Sequence, residues 1–569
     1  MRRHGDHRYA PESTTFADQT LITNTGNGPS ALILSYILHG HIPYYVGGHH
    51  DAILDAKLQN APNLLHLTPD LYAHFLSSLR YSTQALPVNT LLDTLIRPNA
   101  DTELNPKSCI EWRYEPDKAI SHLAIGETVH AGGQWAEDLP SASADIGTLS
   151  YAEQLSLPGY SYTDHLARTG KTDEAEFIRP SRTEVADYLK VYPDAVGISD
   201  CVLTGLKVDN VYRTVKGFSI GSLGIRCRHL VLASGIFTVN IPPPPLLAPI
   251  SQLNLPEAPL LVIGSGFSAA DVIISAPPRR RIIHVYQWNP EKRPSPLRGC
   301  HHTAYPEYAT VYRQMKLSAI ASSKKTKSGR PAYARRRSSA FQQRDWTLYE
   351  GLPGAEVVGA YRSGDVAKVE LRLSSGDIVT REVGGLAYVV GRRGTLDFLS
   401  PELQSEVLSA PDNVPVESLS DNLISGRTLR AKAEATSLEV ARDVFITGSL
   451  TGDSLIRHAV GGCVFAAGRI LGAIPSMYPS DNTLSPALST PRSASPVSNS
   501  DAEAAASEIS PSPPRPRTGQ RTPSELTNGH EDLHLDRRKL FRAVETAHAE
   551  NRSWVDSGWW AGGLGPGRH

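Results

Sequence analysis

Leu260-Leu-Val-Ile263 runs into Gly264-Ser-Gly266-Phe-Ser-Ala269, and apolar, alanine-containing sequence continues to Ser275 before Ala276-Pro277-Pro278. A strand-like apolar run, a G-x-G-x-x-A turn and a helix stopped by proline form the context that a dinucleotide fingerprint requires. Gly264 and Gly266 permit a sharp turn and close backbone approach. Ser268 lies in the turn, and Ala269 lets the helix pack on the strand. Free N–H groups at the helix start, with the helix dipole, would receive a pyrophosphate. Arg279-Arg-Arg281 then leads into Ile282-Ile-His-Val-Tyr286, the next strand. No acidic residue stands at its end to bind a ribose 2′-hydroxyl. Arg279, Arg281, Lys292 and Arg293 lie nearby, which favours NADPH over NADH.

The same spelling occurs near the N-terminus as Gly26-Asn-Gly28-Pro29-Ser30-Ala31. Ala31 to Leu38 is apolar nearly all round, as a buried helix should be. His39-Gly40 reads as its C-cap and Ile42–Val46 as the following strand. The strand before the turn, Leu21–Thr25, carries Asn24, a poor residue for a central strand. Two such turns in one chain predict two dinucleotides, the layout of flavoproteins reduced by NAD(P)H. The fold expected is α/β, with two Rossmann-like dinucleotide-binding domains and a disordered C-terminal tail.

The 569 residues suffice for roughly two to four domains. The net charge of −1 gives no global pull toward nucleic acid. Five scattered cysteines without a C-x-x-C predict free thiols in a reducing compartment; neither zinc ribbon nor dithiol centre is indicated, and no metal ligand set is assigned. The polar start shows no secretory signal. No apolar run reaches the ~18–20 residues of a spanning helix. A soluble cytoplasmic protein is expected, with a nuclear alternative through the basic cluster at 324–337, which includes Lys324, Lys327 and Arg335–Arg337.

The expected organisation is an FAD-binding domain at 18–245 with 396–475, an NAD(P)H-binding domain at 256–395, and a low-complexity tail at 476–569. The NAD(P)H domain should contain a β-hairpin that begins at Val366–Leu373. The tail is Pro/Ser/Thr/Glu-rich, with a charged helix at 532–551 and Trp554, Trp559 and Trp560 as a contact for a protein partner. Further glycine-bearing stretches are Gly132-Gly133-Gln-Trp135, Ala233-Ser234-Gly235 and Val444-Phe-Ile-Thr-Gly448 followed by Gly452-Asp453. A strand ending in glycine, then an acidic residue and the helical stretch Leu455–Leu471, is a way to close a flavin site.

In order and spacing these motifs resemble the flavin-containing monooxygenase superfamily. Within it the chain is most similar to the oxidative stress-induced growth inhibitor family. That second likeness rests on Gly26-Asn-Gly-Pro-Ser30, Tyr305-Pro-Glu-Tyr308 with Val311-Tyr-Arg-Gln-Met315, and Gly452-Asp-Ser-Leu-Ile-Arg457 with Gly461-Gly462. A fainter similarity to lysine and ornithine N-hydroxylases lies in Ser295-Pro296-Leu297 and Pro306-Glu307. Thr303-Ala304 replaces the Asn-Glu of those enzymes, so their amine substrate does not carry over. The F-x-G-x-x-x-H fingerprint of other flavin monooxygenases is absent between the two turns.

The resemblance implies an NAD(P)H-using, FAD-dependent monooxygenase that acts with O₂ on a small molecule through a flavin C4a-(hydro)peroxide. Gly26, Gly28, Pro29, Ser30 and Ala31 would take the FAD pyrophosphate. Gly132, Gly133 and Trp135 would lie by the flavin ring, and Gly448, Gly452 and Asp453 would finish the site. Gly264, Gly266, Ser268 and Ala269 would take NADPH. No catalytic acid, base or nucleophile stands out; His284, His301, His302 and His458 each read as structural or exposed. Two other readings stay open: an NADPH oxidase or reductase without oxygenation, and a non-catalytic growth or stress regulator that retains the fold.

Overall fold

The computed structural model describes residues 20–472 apart from 68–70, 72–73, 75–84, 100–106, 137–144, 172–177, 325–343, 410–422 and 436. The tail, its helix and its tryptophans lie outside the described residues, as does the basic cluster beyond Lys324. All described residues fall within one of the two compact units of the chain.

The fold is α/β, built on two parallel sheets. In the first, Thr20–Thr25 is central, flanked in parallel by His122–Ile125 and Ile225–Leu232. Val444–Ile446 extends the sheet beyond Ile225–Leu232, and Val202–Leu203 extends it beyond His122–Ile125, both in parallel. Glu439–Ala441 forms an antiparallel edge. A hairpin, Val211–Thr214 with Gly217–Ile220, joins antiparallel to Ile225–Leu232.

The Pro29–Leu38 helix follows the central strand, and every residue from Ala31 to Leu38 is buried. The Ala459–Ile470 helix packs along it, and both sink into the largest hydrophobic cluster. An all-round apolar helix is stable only when covered on all sides. Here the sheet and the Ala459–Ile470 helix contribute to that cover.

The second sheet has the order Tyr349–Pro353, Ile282–Tyr286, Leu260–Ile263, Gly385–Tyr388, all parallel. Between its outer strands in sequence sits a three-stranded antiparallel sheet, Glu356–Ser363, Val366–Arg372 and Ile378–Val383. The hairpin read at Val366 is thus part of a three-strand meander. The chain runs out through Val239–Asn240 and returns through Arg392–Thr395, and the two segments pair antiparallel.

Two local expectations met different outcomes. Asn24 stands in a central strand after all, paired with Ala124 on one side and Val231 on the other. Its amide is fully buried, and neither of its polar atoms has a hydrogen-bond partner. The flanking ladders, rather than the propensity of one residue, decide the strand. The Ile42–Val46 segment is extended, as His41–Tyr45, but it pairs antiparallel with Ile110–Tyr114 in a separate two-stranded sheet. The first strand pairs in parallel with His122–Ile125 instead.

Candidate functional site

Gly26 closes the first central strand with φ +140°, a conformation L side chains rarely adopt. A Cβ there would also meet the Ala233 carbonyl oxygen at 2.6 Å. Gly26 is therefore required by the fold itself. Gly28 differs: it caps the Pro29–Leu38 helix in extended backbone with no side-chain cap bond. A Cβ on it would touch only Gly133 Cα at 3.8 Å and the Gly132 oxygen at 3.9 Å, ordinary van der Waals contact. Nothing in the protein's own packing demands a glycine at 28. The space a side chain would fill is left open at a helix N-terminus, where backbone donors are unsatisfied.

The other glycine stretches come to this same helix end. The Gly132 amide donates to the Asn27 carbonyl at 2.8 Å. A Cβ on Gly133 would lie 3.0 Å from Gly28 Cα, and one on Gly448 would lie 2.1 Å from Ser30 Oγ. Trp135 ends the 3-10 turn Gly133–Trp135 and packs half-buried on the main core. Ala233–Gly235 lies against Gly26, and Ile236 donates its amide to Ser449 Oγ at 3.2 Å. Ser234 Oγ and Thr447 Oγ1 are buried without a partner. The structure thus brings Gly26–Ala31, Gly132–Gly133, Ala233–Gly235 and Gly448 together at the start of the Pro29–Leu38 helix. Open glycine backbone at a helix start fits the pyrophosphate of a dinucleotide.

Asp453 is placed more deeply than its motif suggests. One carboxylate oxygen accepts from the Leu86 amide at 2.8 Å and Asn89 Nδ2 at 2.6 Å; the other accepts from Arg430 Nη1 at 2.6 Å. A carboxylate offers about four lone-pair sites, so these three donors leave room for one more. Gly452 meets the Gly426 carbonyl, where a Cβ would come within 2.8 Å.

The second turn repeats the division of labour. Gly264 has φ +151°, and a Cβ on it would strike the Val389 carbonyl oxygen at 2.4 Å. Gly266 is extended, and its nearest neighbour would be Pro296 Cγ at 3.9 Å. Ala269 is buried against the sheet, as the fingerprint needs. Ser295 Oγ donates to the Ser265 carbonyl at 2.7 Å, so the Ser295-Pro296 pair walls this turn.

His284 sits under the turn. Its Nε2 bonds the Gly264 carbonyl at 2.7 Å, and its Nδ1 lies 2.8 Å from the Tyr349 hydroxyl. The carbonyl can only accept, so Nε2 carries the proton and Nδ1 accepts from Tyr349. Burial pushes the imidazole down to about 4, so it is neutral and ties the turn to the sheet. His458 is buried beside Asp93, while His301 and His302 lie toward the surface.

The basic residues divide by position. Arg279 and Arg281 precede the Ile282–Tyr286 strand, at the end of the sheet remote from the turn. Arg281 bonds Glu350 at 2.8 Å. Lys292 and Arg293 follow the strand, are exposed, and stand at the carboxyl end, where ligands of parallel sheets bind.

Sequence reading missed Asn27 and Asn89 as organisers, while His284, read as structural, is so. Asn27 is buried, accepts from Thr128 Oγ1 at 2.9 Å and donates to the His130 carbonyl at 3.4 Å, which ties the first turn to the Gly132 loop. The signal for Asn27 lay inside the quoted motif. For Asn89 no signal existed, because its partners are distant in sequence.

No family model matches the chain. It is similar to oxidative stress-induced growth inhibitor 1 of Mus musculus, 29% identical over 342 residues, 52% of this chain and 69% of that protein. The Homo sapiens protein of the same name is 27% identical, covering 58% and 76%. Oxidative stress-induced growth inhibitor 2 of Homo sapiens is 25% identical, covering 51% and 67%. The resemblance read from the motifs therefore holds. Among solved structures, a flavin-containing monooxygenase from Stenotrophomonas maltophilia matches at 13% identity and TM-score 0.42, covering 80% of this chain and 99% of that one. L-lysine 6-monooxygenase from Pseudomonas syringae matches at 14% and 0.41, covering 80% and 100%.

Proposed function

We propose that the chain is an FAD- and NADPH-binding oxidoreductase of monooxygenase type acting on a small molecule with O₂. The observation that carries this reading is the pair Gly28 and Gly266. Each is a glycine with ordinary backbone, at a helix N-terminus after a parallel strand, beside a glycine the fold does require. Their remaining role is to let a ligand's phosphates approach the backbone.

On this reading Gly26, Gly28, Ser30 and Ala31 hold the FAD pyrophosphate, with Gly448 and Ser234 beside it. Pro29, lacking an N–H, presets the first helical turn. Gly132, Gly133 and Trp135 bound the ring side, and the fourth acceptor site of Asp453 takes a ribityl hydroxyl. Gly264, Gly266, Ser268 and Ala269 hold the NADPH pyrophosphate, with Lys292 and Arg293 nearest the 2′-phosphate. When bound, the flavin supplies hydride acceptance from the nicotinamide and electron transfer to oxygen. The chain orients the two cofactors and excludes water. Neither turn contributes a proton-transfer group of its own.

The purified full chain should show flavin absorbance, as isolated or after FAD is added, and NADPH should bleach it until air restores it. A chain that takes up no flavin overturns the reading. The absent F-x-G-x-x-x-H segment favours a second reading, an NADPH oxidase or reductase. Peroxide equal to NADPH consumed, with every substrate tried, selects that one. The relatives are named growth inhibitors, and a non-catalytic regulator that retains the fold is the third. Biological effect that persists in Gly28→Ala and Gly266→Ala would select it.

A further inference from the structure

We propose that His39, His122 and Cys201 form a zinc site at the end of the first sheet opposite the glycine turn. His39 caps the C-terminus of the Pro29–Leu38 helix, His122 opens the His122–Ile125 strand, and Cys201 ends the 3-10 turn before Val202–Leu203. One ligand atom from each lies within 4.8 Å of the others. His39 Nδ1 and Cys201 Sγ are 3.8 Å apart.

The second observation concerns His122. Its Nδ1 lies 2.8 Å from the Ile120 carbonyl, which can only accept, so the proton is on Nδ1. Nε2 therefore presents a bare lone pair. It is buried, with no hydrogen-bond partner, in a residue 3% exposed. An orphaned buried acceptor is costly. An imidazole whose other nitrogen donates to a backbone carbonyl is how metal-binding histidines are commonly oriented. The Ile120 amide in turn donates to the Leu38 carbonyl at 3.0 Å, which fixes the His122 segment against the helix end that bears His39.

Two imidazoles and a thiolate suit zinc and reject magnesium or calcium. Zinc bonds of about 2.0–2.1 Å to nitrogen and about 2.3 Å to sulfur put ligand atoms roughly 3.5 Å apart. The cluster must therefore close by about 1 Å, within reach of side-chain rotation. Three protein ligands would leave the fourth tetrahedral position to water. On binding, the thiol proton passes to solvent and the zinc–sulfur bond forms. The helix runs about 15 Å between this site and Gly28, so the ion clasps helix to sheet and takes no part in nucleotide chemistry.

The test uses the tag-free full chain, stripped with EDTA and dialysed, then titrated with zinc chloride or cobalt(II) chloride. One equivalent should bind, cobalt should give a thiolate charge-transfer band, and zinc should raise the melting midpoint. Cys201→Ser should abolish the band, and His122→Gln should weaken binding at least about tenfold. Should both variants fail to fold, wild-type protein still decides. Zinc should protect Cys201 from N-ethylmaleimide, with the labelled residue identified by mass spectrometry. Cobalt binding without a thiolate band, a band that survives in Cys201→Ser, or labelling of Cys201 unchanged by zinc would each overturn the proposal.

Discussion

Gly26 and Gly28 are two residues apart and answer to different demands. Gly26→Ala forces a side chain into a left-handed conformation and onto the Ala233 carbonyl. It should cost about 1–3 kcal/mol or more, read as a lower urea midpoint. Gly28→Ala meets nothing closer than 3.8 Å and should leave stability within about 0.5 kcal/mol of wild type, yet lose flavin. A Gly28→Ala protein that keeps its flavin sinks the cradle. His284 offers a pH signature. Its folded pKa, about 4, lies below the ordinary 6.5. The unfolded chain therefore binds a proton that the folded one refuses. Stability contributed by the neutral ring is full above about pH 6.5 and is lost as pH falls toward 4, by about 3 kcal/mol. The fall in melting midpoint over that range should be smaller in His284→Gln. An equal fall in both proteins would remove His284 as the cause.

At the scale of elements, the Pro87–Ile96 and Ala459–Ile470 helices meet through glycine. A Cβ on Gly461 would lie 2.2 Å from the Val88 carbonyl oxygen, whereas one on Gly462 would find Asn89 Oδ1 at 3.5 Å. The Gly462 amide donates to that same Asn89 Oδ1 at 2.7 Å. Gly461→Ala should therefore cost about 1–3 kcal/mol by overpacking. Gly462→Ala should be neutral or gain up to about 1 kcal/mol of helix propensity. Denaturant midpoints that rank the two the other way would refute this packing. Asp93 anchors the same helix pair through a fork to Arg457 at 2.9 and 2.7 Å and a contact with Arg97. Burial raises its carboxyl, but the two guanidinium groups outweigh that and hold it well below the usual carboxylate range.

These helices also show what could be read in advance. The Leu455–Leu471 stretch was legible as helical from its apolar run, whereas the Pro87–Ile96 helix was not singled out in the sequence. The turns were visible because glycine spacing is a local requirement. Asp453 was visible as an acid after a glycine, but its three donors come from residues far away in the chain, and no spacing encodes them. The antiparallel pairing of His41–Tyr45 was hidden for the same reason: alternation announces a strand, never its partner.

Across the whole molecule, one side chain ties two segments far apart in sequence, 147–148 and 304–307. Arg179 donates to the Thr148 and Gly147 carbonyls on one side, and to the Ala304 carbonyl and Glu307 on the other. It also lies over the Tyr305 ring at 4.6 Å. Arg179→Met should cost about 2–3 kcal/mol, read as a lower urea midpoint; an unchanged midpoint would count against the clasp. The opposite end of the second sheet matters for cofactor choice. Lys292→Ala with Arg293→Ala should raise KM for NADPH about tenfold and leave NADH unchanged, while Arg281→Ala should do neither.

Gly28 and Gly266 carry a last consequence, which concerns mutational drift. Since neither is held by φ or by a neighbour, the folded chain would tolerate alanine or serine at both positions through any number of generations. A lineage that had given up nucleotides would pass through such changes silently, with expression and stability intact. The two open glycines thus act as a clock that starts when binding stops. Gly26 and Gly264, held by the fold, would read the same in a chain that binds nucleotides and in one that had lost them.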